Sequence, residues 1–167
     1  LFAHCQVLCL TLLFTSLPPP GFLPLLLPDV PAERVRRCVD MLHSDHFATV
    51  WPVASVACTD PTFSSDMWRG PAWANMNYLV WEAFRRHGEQ DTADFSVEDV
   101  ELVGSYYQRY GVLFEYYDAL DQVPPMRCWR KGPPVGGKYL QEEGISCIRD
   151  YHWTAAVVGV FLLQGEG

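Results

Sequence analysis

The chain has 167 residues, enough for one domain or for part of a larger one, and its apolar share allows a sizeable core. A formal net charge of -8, with no run of lysine or arginine, argues against nucleic acid and against an anionic membrane surface as partners, because both recruit basic patches. Aromatic residues make up 14% of the chain and many stand among polar neighbours rather than in plain apolar stripes, which points to a surface that binds something.

In chain order, the opening "LFAHCQVLCLTLLFTSLPPP" begins on Leu1 and has a hydrophobic middle, but no charged start and no small-residue cleavage site. His4, Gln6, Thr11 and the Pro18 to Pro20 triplet interrupt it, so it is too short and too polar for a membrane span. Residues 1–20 are therefore set apart as a doubtful segment, signal-like or an artefact of the gene model, ahead of a unit over residues 21–167. With the abrupt "GEG" at the other end, the chain reads as a fragment.

Helical periodicity dominates the rest of the chain. "DVPAERVRRCVDML" places Val35, Cys38, Val39 and Leu42 on one face, with Pro31 suited to the first turn and Asp29 to the cap. "WPVASVACTDPTFSSD" is a long loop made ordered by Trp51, Val53, Val56 and Phe63. Pro71 is expected to open a second helix whose inner face runs through Trp73, Met76, Val80 and Phe84, with Arg85, Arg86 and His87 in the last turn and Gly88 ending it. A third helix is expected from a capping box of Ser96 and Asp99, through Val100, Val103, Tyr107 and Tyr110, to Gly111. A long loop rich in proline and glycine comes next, and then "WTAAVVGVFLL", a buried apolar segment that the preceding pattern makes helical.

Helices separated by long aromatic loops suit neither a short-looped bundle nor a parallel sheet. The expected class is all-α, a partial (α/α)6 toroid whose wall is paired helices and whose long aromatic-rich loops build a pocket at one end.

The six cysteines, Cys5, Cys9, Cys38, Cys58, Cys128 and Cys147, are scattered and form no CxxC pair, so neither a disulfide scaffold nor a structural zinc site is expected. His43 and His46 with Asp45 between them admit a metal reading, against the plainer one of a polar helix end. No metal and no cofactor is expected.

Sugars carry hydroxyls on their rims and apolar C–H faces, so their sites combine flat aromatics with carboxylates, amides and guanidinium groups. Asp66, Trp68, Arg69, Trp73, Asn75 and Asn77 supply that mixture, and "FEYYDAL" adds Glu115 between Phe114, Tyr116 and Tyr117. "DYHW" then contributes Tyr151, His152 and Trp153. Each has a plainer reading: Trp68 and Trp73 as core aromatics, Arg69 as a clasp on loop carbonyls, Glu115 as a solvated acid. The conjunction carries the inference. Hydrolysis of a glycosidic bond needs one carboxylic acid to protonate the leaving oxygen and one carboxylate to act on water or carbon, and Glu115 is best placed for one of those roles.

The segments "GFLPLLLPDVPAERVRRCVDML", "DMWRGPAWANMNYLVWEAFRRHG", "LFEYYDAL" and "DYHWTAA", in that order over residues 21 to 164, resemble the C-terminal half of the six-hairpin barrel of glycoside hydrolase family 63. The likeness is to its mannosylglycerate hydrolase-like branch, with trehalases and processing α-glucosidases more distant. The resemblance implies an inverting hydrolase of α-linked glucosides or mannosides, with Glu115 as the general base. It implies a sugar pocket lined by Trp68, Arg69, Gly70 and Trp73, continued by Asn77 and Tyr78, with Tyr117 and Trp153 beside it. The family's general acid, an Asp, lies upstream of "GFLPLL" in a region this sequence does not match, so the chain alone is expected to be inactive or nearly so and to need the missing half of the barrel. A carbohydrate-binding or scaffold remnant without turnover, and a trehalase-like hydrolase, are the alternatives. The compartment stays open, the lack of an Asn-x-Ser/Thr sequon leaning towards the cytoplasm.

Overall fold

The computed structural model describes residues 21–89, 95–130 and 147–165; segment 1–20 with Cys5 and Cys9, and most of the second proline-rich stretch, lie outside the described residues. Among the described residues it contains four α-helices and no strand, with short 3-10 turns at Leu23–Leu26 and Pro125–Arg127.

The first turn buries Leu25, and Phe22 just ahead of it meets Phe47 edge-on at 5.3 Å and Phe84 at 5.7 Å. Helix α1, Ala32–Leu42, buries Val35 and Leu42 and half-buries Cys38 and Val39, the stripe expected from its spacing. Pro31 stands at its N-cap and no side chain caps it, so Asp29 does not serve as the cap.

Helix α2, Ala74–Arg85, begins at Ala74 rather than at Pro71. Ala72 exchanges two hydrogen bonds with Tyr117, N to O at 2.8 Å and O to N at 3.0 Å, which holds its peptide extended. Trp73, also extended at φ -120°, then turns the chain into the helix. Its apolar face buries Val80, Ala83 and Phe84, and Gly88 at φ 78° ends it, as that left-handed conformation favours glycine.

Helix α3 spans Phe95–Tyr110; the side chain of Ser96, expected to cap it, lies outside the described residues, and Asp99 receives the Asn77 amide. Val103 is buried, but Tyr107, expected on the same face, is exposed and Tyr106 packs inward instead. Positions three and four residues on flank one face equally. Tyr106 takes it because its ring meets Trp51 at 5.7 Å and Tyr117 at 5.5 Å while its hydroxyl reaches Asp121 Oδ1 at 2.5 Å.

Helix α4, His152–Gly165, is helical as expected but not buried as expected. It packs against α2 and α3, which cover one side of a segment that is apolar all round. Thr154 and Phe161 are buried, whereas Trp153, Leu162 and Leu163 are 51%, 54% and 76% exposed. None of the described helices is long and apolar enough to cross a membrane.

Two cores result. One joins the first turn, α1 and α2 through Phe22, Leu25, Val35, Phe47, Val80 and Phe84. The other lies under the loops, around Trp51, Trp73, Phe114, Tyr116, Tyr117 and the thiols of Cys128 and Cys147.

Candidate active site

Two loops build the site; the backbone bridges of Ala72 with Tyr117 and Asp66 with Trp129 lock them together, while Ala54 with Ala72 and Phe114 with Arg149 close each loop on itself. The first loop makes a tight turn in which Ser64 N–H donates to the Arg69 carbonyl at 2.7 Å and Arg69 N–H to the Asp66 carbonyl at 2.6 Å. Within it Met67 adopts φ 21°, a strained value for a side-chain-bearing residue. Its N–H donates to the Trp129 carbonyl at 3.1 Å, and its own carbonyl accepts the Trp73 indole N–H at 2.8 Å. The strain aims Trp68 outward while Trp73 stays buried beneath it, the two rings 3.9 Å apart and 7° from parallel. Trp68 is 47% exposed, so its outer face is a flat apolar platform in water.

Gly70 is buried in the same turn and is required by space: a Cβ there would stand 2.0 Å from the Ser64 carbonyl oxygen. The Arg69 side chain is exposed, and it is its backbone that clasps the turn. Asp66 is buried, with Oδ1 lacking a hydrogen-bond partner among the described residues.

The second loop carries Glu115. Its N–H donates to the Ile148 carbonyl at 3.0 Å, its side chain is 5% exposed, and its carboxylate is ion-paired with Arg130, which is 27% exposed. Burial opposes the charge on Arg130, but hydrogen bonding and attraction to Glu115 outweigh it and raise its pKa. A buried carboxylate needs such a partner, since removal from water otherwise favours its neutral form. Tyr116 is buried beside it, its ring 4.9 Å from that of Trp73 and its hydroxyl donating to the Trp129 carbonyl at 2.9 Å. Burial first, then nearby charges, raises the pKa of Tyr116 and of Tyr151, and Glu115 is among those charges in both cases.

The other residues singled out from the sequence lie further back. Tyr117 is buried, stacked on Trp51 at 4.1 Å, its hydroxyl accepting the Phe114 N–H at 3.2 Å. Asn77 is fully buried between α2 and α3, its amide donating to both Asp99 carboxylate oxygens at 3.0 and 3.1 Å. Tyr78 packs against Trp81 and Phe161 where α2 meets α4. Trp153 is exposed at the start of α4, 5.9 Å from Tyr151. The aromatic platform and Glu115 thus share one cluster of loops, while Asn77 and Tyr78 sit in helix contacts behind it. His46 is hydrogen-bonded to Thr59, and among the described residues no three His, Cys, Asp or Glu side chains group as metal ligands.

Sequence reasoning missed Arg130, and it read Tyr116 and Tyr151 only as aromatic neighbours of the site. Arg130 stands fifteen positions after Glu115 in an irregular loop, a separation that no helical or strand period marks. Only its place beside Trp129, in a loop already expected to line a pocket, hinted at it.

An all-α fold whose long loops join a stacked tryptophan pair, through Tyr116, to a buried, ion-paired carboxylate belongs with the carbohydrate-active helical toroids. Residues 16–154 match the model of the mannosylglycerate hydrolase MGH1-like glycoside hydrolase domain, and the chain belongs to that family. No curated protein matches it in sequence. Among solved structures it is similar to the family 63 mannosylglycerate hydrolase of Thermus thermophilus in complex with glucose, at 25% identity and a TM-score of 0.59, over 89% of this chain and 32% of that one. The same hydrolase with Tris and D-glycerate gives 26% identity and a TM-score of 0.60, over 89% of this chain and 30% of that one. An uncharacterized conserved protein of the same organism gives 26% and 0.60, over 89% and 32%. The chain therefore spans about a third of the length of these structures, and its helices form part of an (α/α)6 toroid.

Proposed function

We propose that this chain supplies the general-base side of an inverting α-glycoside hydrolase and works together with the remainder of the toroid. Glu115, buried and ion-paired in the loop whose next residue, Tyr116, leans on the Trp68–Trp73 stack, is the observation that carries the reading. The sugar stacks its C–H face on Trp68. Glu115 removes a proton from water as that water attacks the anomeric carbon, and an acid from outside residues 21–164 protonates the departing oxygen. Inverting pairs stand about 6.5–9.5 Å apart so that water fits between them. General acid assistance is typically worth about 10²–10⁴-fold, so residues 21–164 without the acid bind sugar but turn over little.

The substrate class is an α-glucoside or α-mannoside, and the likeness to enzymes described with glucose and D-glycerate favours a small hydroxy-acid aglycone over the disaccharide of a trehalase-like reaction. Arg130, a partly exposed cation beside Glu115, suits such an acid.

The test is proton NMR of α-mannosylglycerate hydrolysis by the polypeptide that joins this segment to the rest of its toroid. The β-anomer of the sugar is expected first; release of the α-anomer refutes inversion. Glu115→Gln, which keeps shape and loses basicity, should lower turnover by a factor of about 10² or more while sugar affinity holds. Retained turnover in that variant removes Glu115 from the base role.

A carbohydrate-binding role without turnover has one observation in its favour: the Glu115 carboxylate is nearly sealed from solvent and tied to Arg130. Sugar binding without hydrolysis by the assembled toroid selects it.

A further inference from the structure

The aromatic platform and Glu115 come from loops far apart in sequence, yet a continuous run of contacts joins them. Arg130 holds the Glu115 carboxylate. The Tyr116 hydroxyl lies against the Arg130 guanidinium and donates to the Trp129 carbonyl at 2.9 Å. The same carbonyl accepts the Met67 N–H at 3.1 Å, and the Met67 carbonyl accepts the Trp73 indole at 2.8 Å. The Tyr116 ring closes the circuit by leaning on Trp73 at 4.9 Å.

Tyr116 thus touches both halves with one side chain. Its backbone is fixed as well, its N–H meeting Cys147 Sγ at 3.4 Å and its carbonyl accepting that thiol at 3.3 Å. The ring therefore has little room to turn. Tyr117, the next residue, is committed elsewhere, to Trp51 and to the Phe114 N–H. We propose that Tyr116 is a positioning residue that sets the register between the Trp68–Trp73 platform and Glu115, so that a ring on the platform stands at a fixed place relative to the carboxylate.

The proposal rests on Trp68 as sugar platform and Glu115 as base, and its physical content is transmission from one loop to the other. A phenylalanine at position 116 keeps the ring against Trp73 but loses the hydroxyl that bridges Arg130 and Trp129. The Trp129 carbonyl still has the Met67 N–H, so no buried backbone group is orphaned by the change. Uncoupling without collapse is expected.

The experiment uses the full chain with 15N-labelled tryptophan and follows the indole signals of Trp68 and Trp73. Glu115→Gln is expected to move both signals in the wild-type background, and to move them at most about a third as far in a Tyr116→Phe background that melts within a few degrees of wild type. Equal movement in the two backgrounds overturns the proposal. Arg130→Lys breaks the same run at its other joint, so if Tyr116→Phe does not fold the comparison is made there, and undiminished movement again overturns it. A glucose titration of the wild-type chain is read separately: absence of any indole shift counts against the sugar platform, whereas the Glu115→Gln comparison reports on the coupling alone.

Discussion

Trp68 shows how one side chain is given a task by its neighbours. An exposed tryptophan on a mobile loop would collapse onto the nearest apolar surface, but here the strained Met67 backbone and the buried Trp73 ring hold it flat and outward. An aromatic pair of this kind contributes about 0.5–1.5 kcal/mol beyond its burial. Trp68→Ala should therefore cost stability only on that scale, while weakening affinity for glucose measured by titration on the chain. Unchanged affinity with a large fall in melting temperature would mean that the residue is a core aromatic after all. Trp68, Trp73 and Glu115 stood out in the sequence because aromatic and acidic residues crowd two short motifs. Asn77 stood out for the same reason, yet its amide lies buried against Asp99, since amides suit buried helix contacts as well as ligands.

At the level of elements, the 3.6-residue period showed where α1, α2 and α3 would lie, because each buries one stripe and leaves the opposite side to water. It missed where α2 begins, since Ala72 is held extended by Tyr117, and no local pattern encodes a partner that distant. It also misjudged α4, where an all-apolar sequence gives no direction and only the packing neighbours say which side is covered. The two sides of α4 should respond differently. Phe161→Ala removes a buried ring that meets Trp81 at 5.5 Å and Tyr78 at 5.8 Å, and should cost about 3–5 kcal/mol in urea unfolding of the chain. Leu163→Ala, on the open side, should change stability by about 0.5 kcal/mol or less. A large loss at Leu163 would show that this side is already covered in the isolated chain, for instance by self-association, which sedimentation would reveal.

For the whole molecule, the core under the loops should lose stability in alkali. Burial pushes the Cys147 thiol from 9.0 up to about 12, and Cys128, Tyr116 and Tyr117 are raised as well, burial being the first cause in each. The folded state holds the Cys147 proton more tightly than the unfolded chain does. Its contribution is thus complete below pH 9 and is lost as pH rises from about 9 towards about 12. Each such group removes up to about 1.4 kcal/mol per pH unit across its window. Urea midpoints measured from pH 7 upward should fall beyond pH 9, and Cys147→Ala should flatten that fall by about one proton's worth. An unchanged slope in the variant would place the Cys147 thiol in contact with solvent.

The backbone bridges beneath the site tie residue 54 to 72, 72 to 117, 66 to 129 and 114 to 149. Each closes a long stretch of chain, whose entropy must be given up before the contact rewards it. Within α1 and α2 each backbone hydrogen bond closes inside about one turn of helix, although the first turn meets α2 across a stretch as long, with Phe22 on Phe84 and the Leu25 carbonyl on His87. The backbone pairing at the site thus rests wholly on distant contacts and that inside the helices does not, so the site should be the first part to open under native conditions. Native-state hydrogen exchange should find the Ala72 and Tyr117 amides opening at a lower free energy than Val80 in α2. Equal protection would mean that wall and pocket fold as one unit. For a chain whose loops are held by such distant closures, a substitution that favours the open form would deplete competent molecules as effectively as one that removes a contact, without altering a single group at the site.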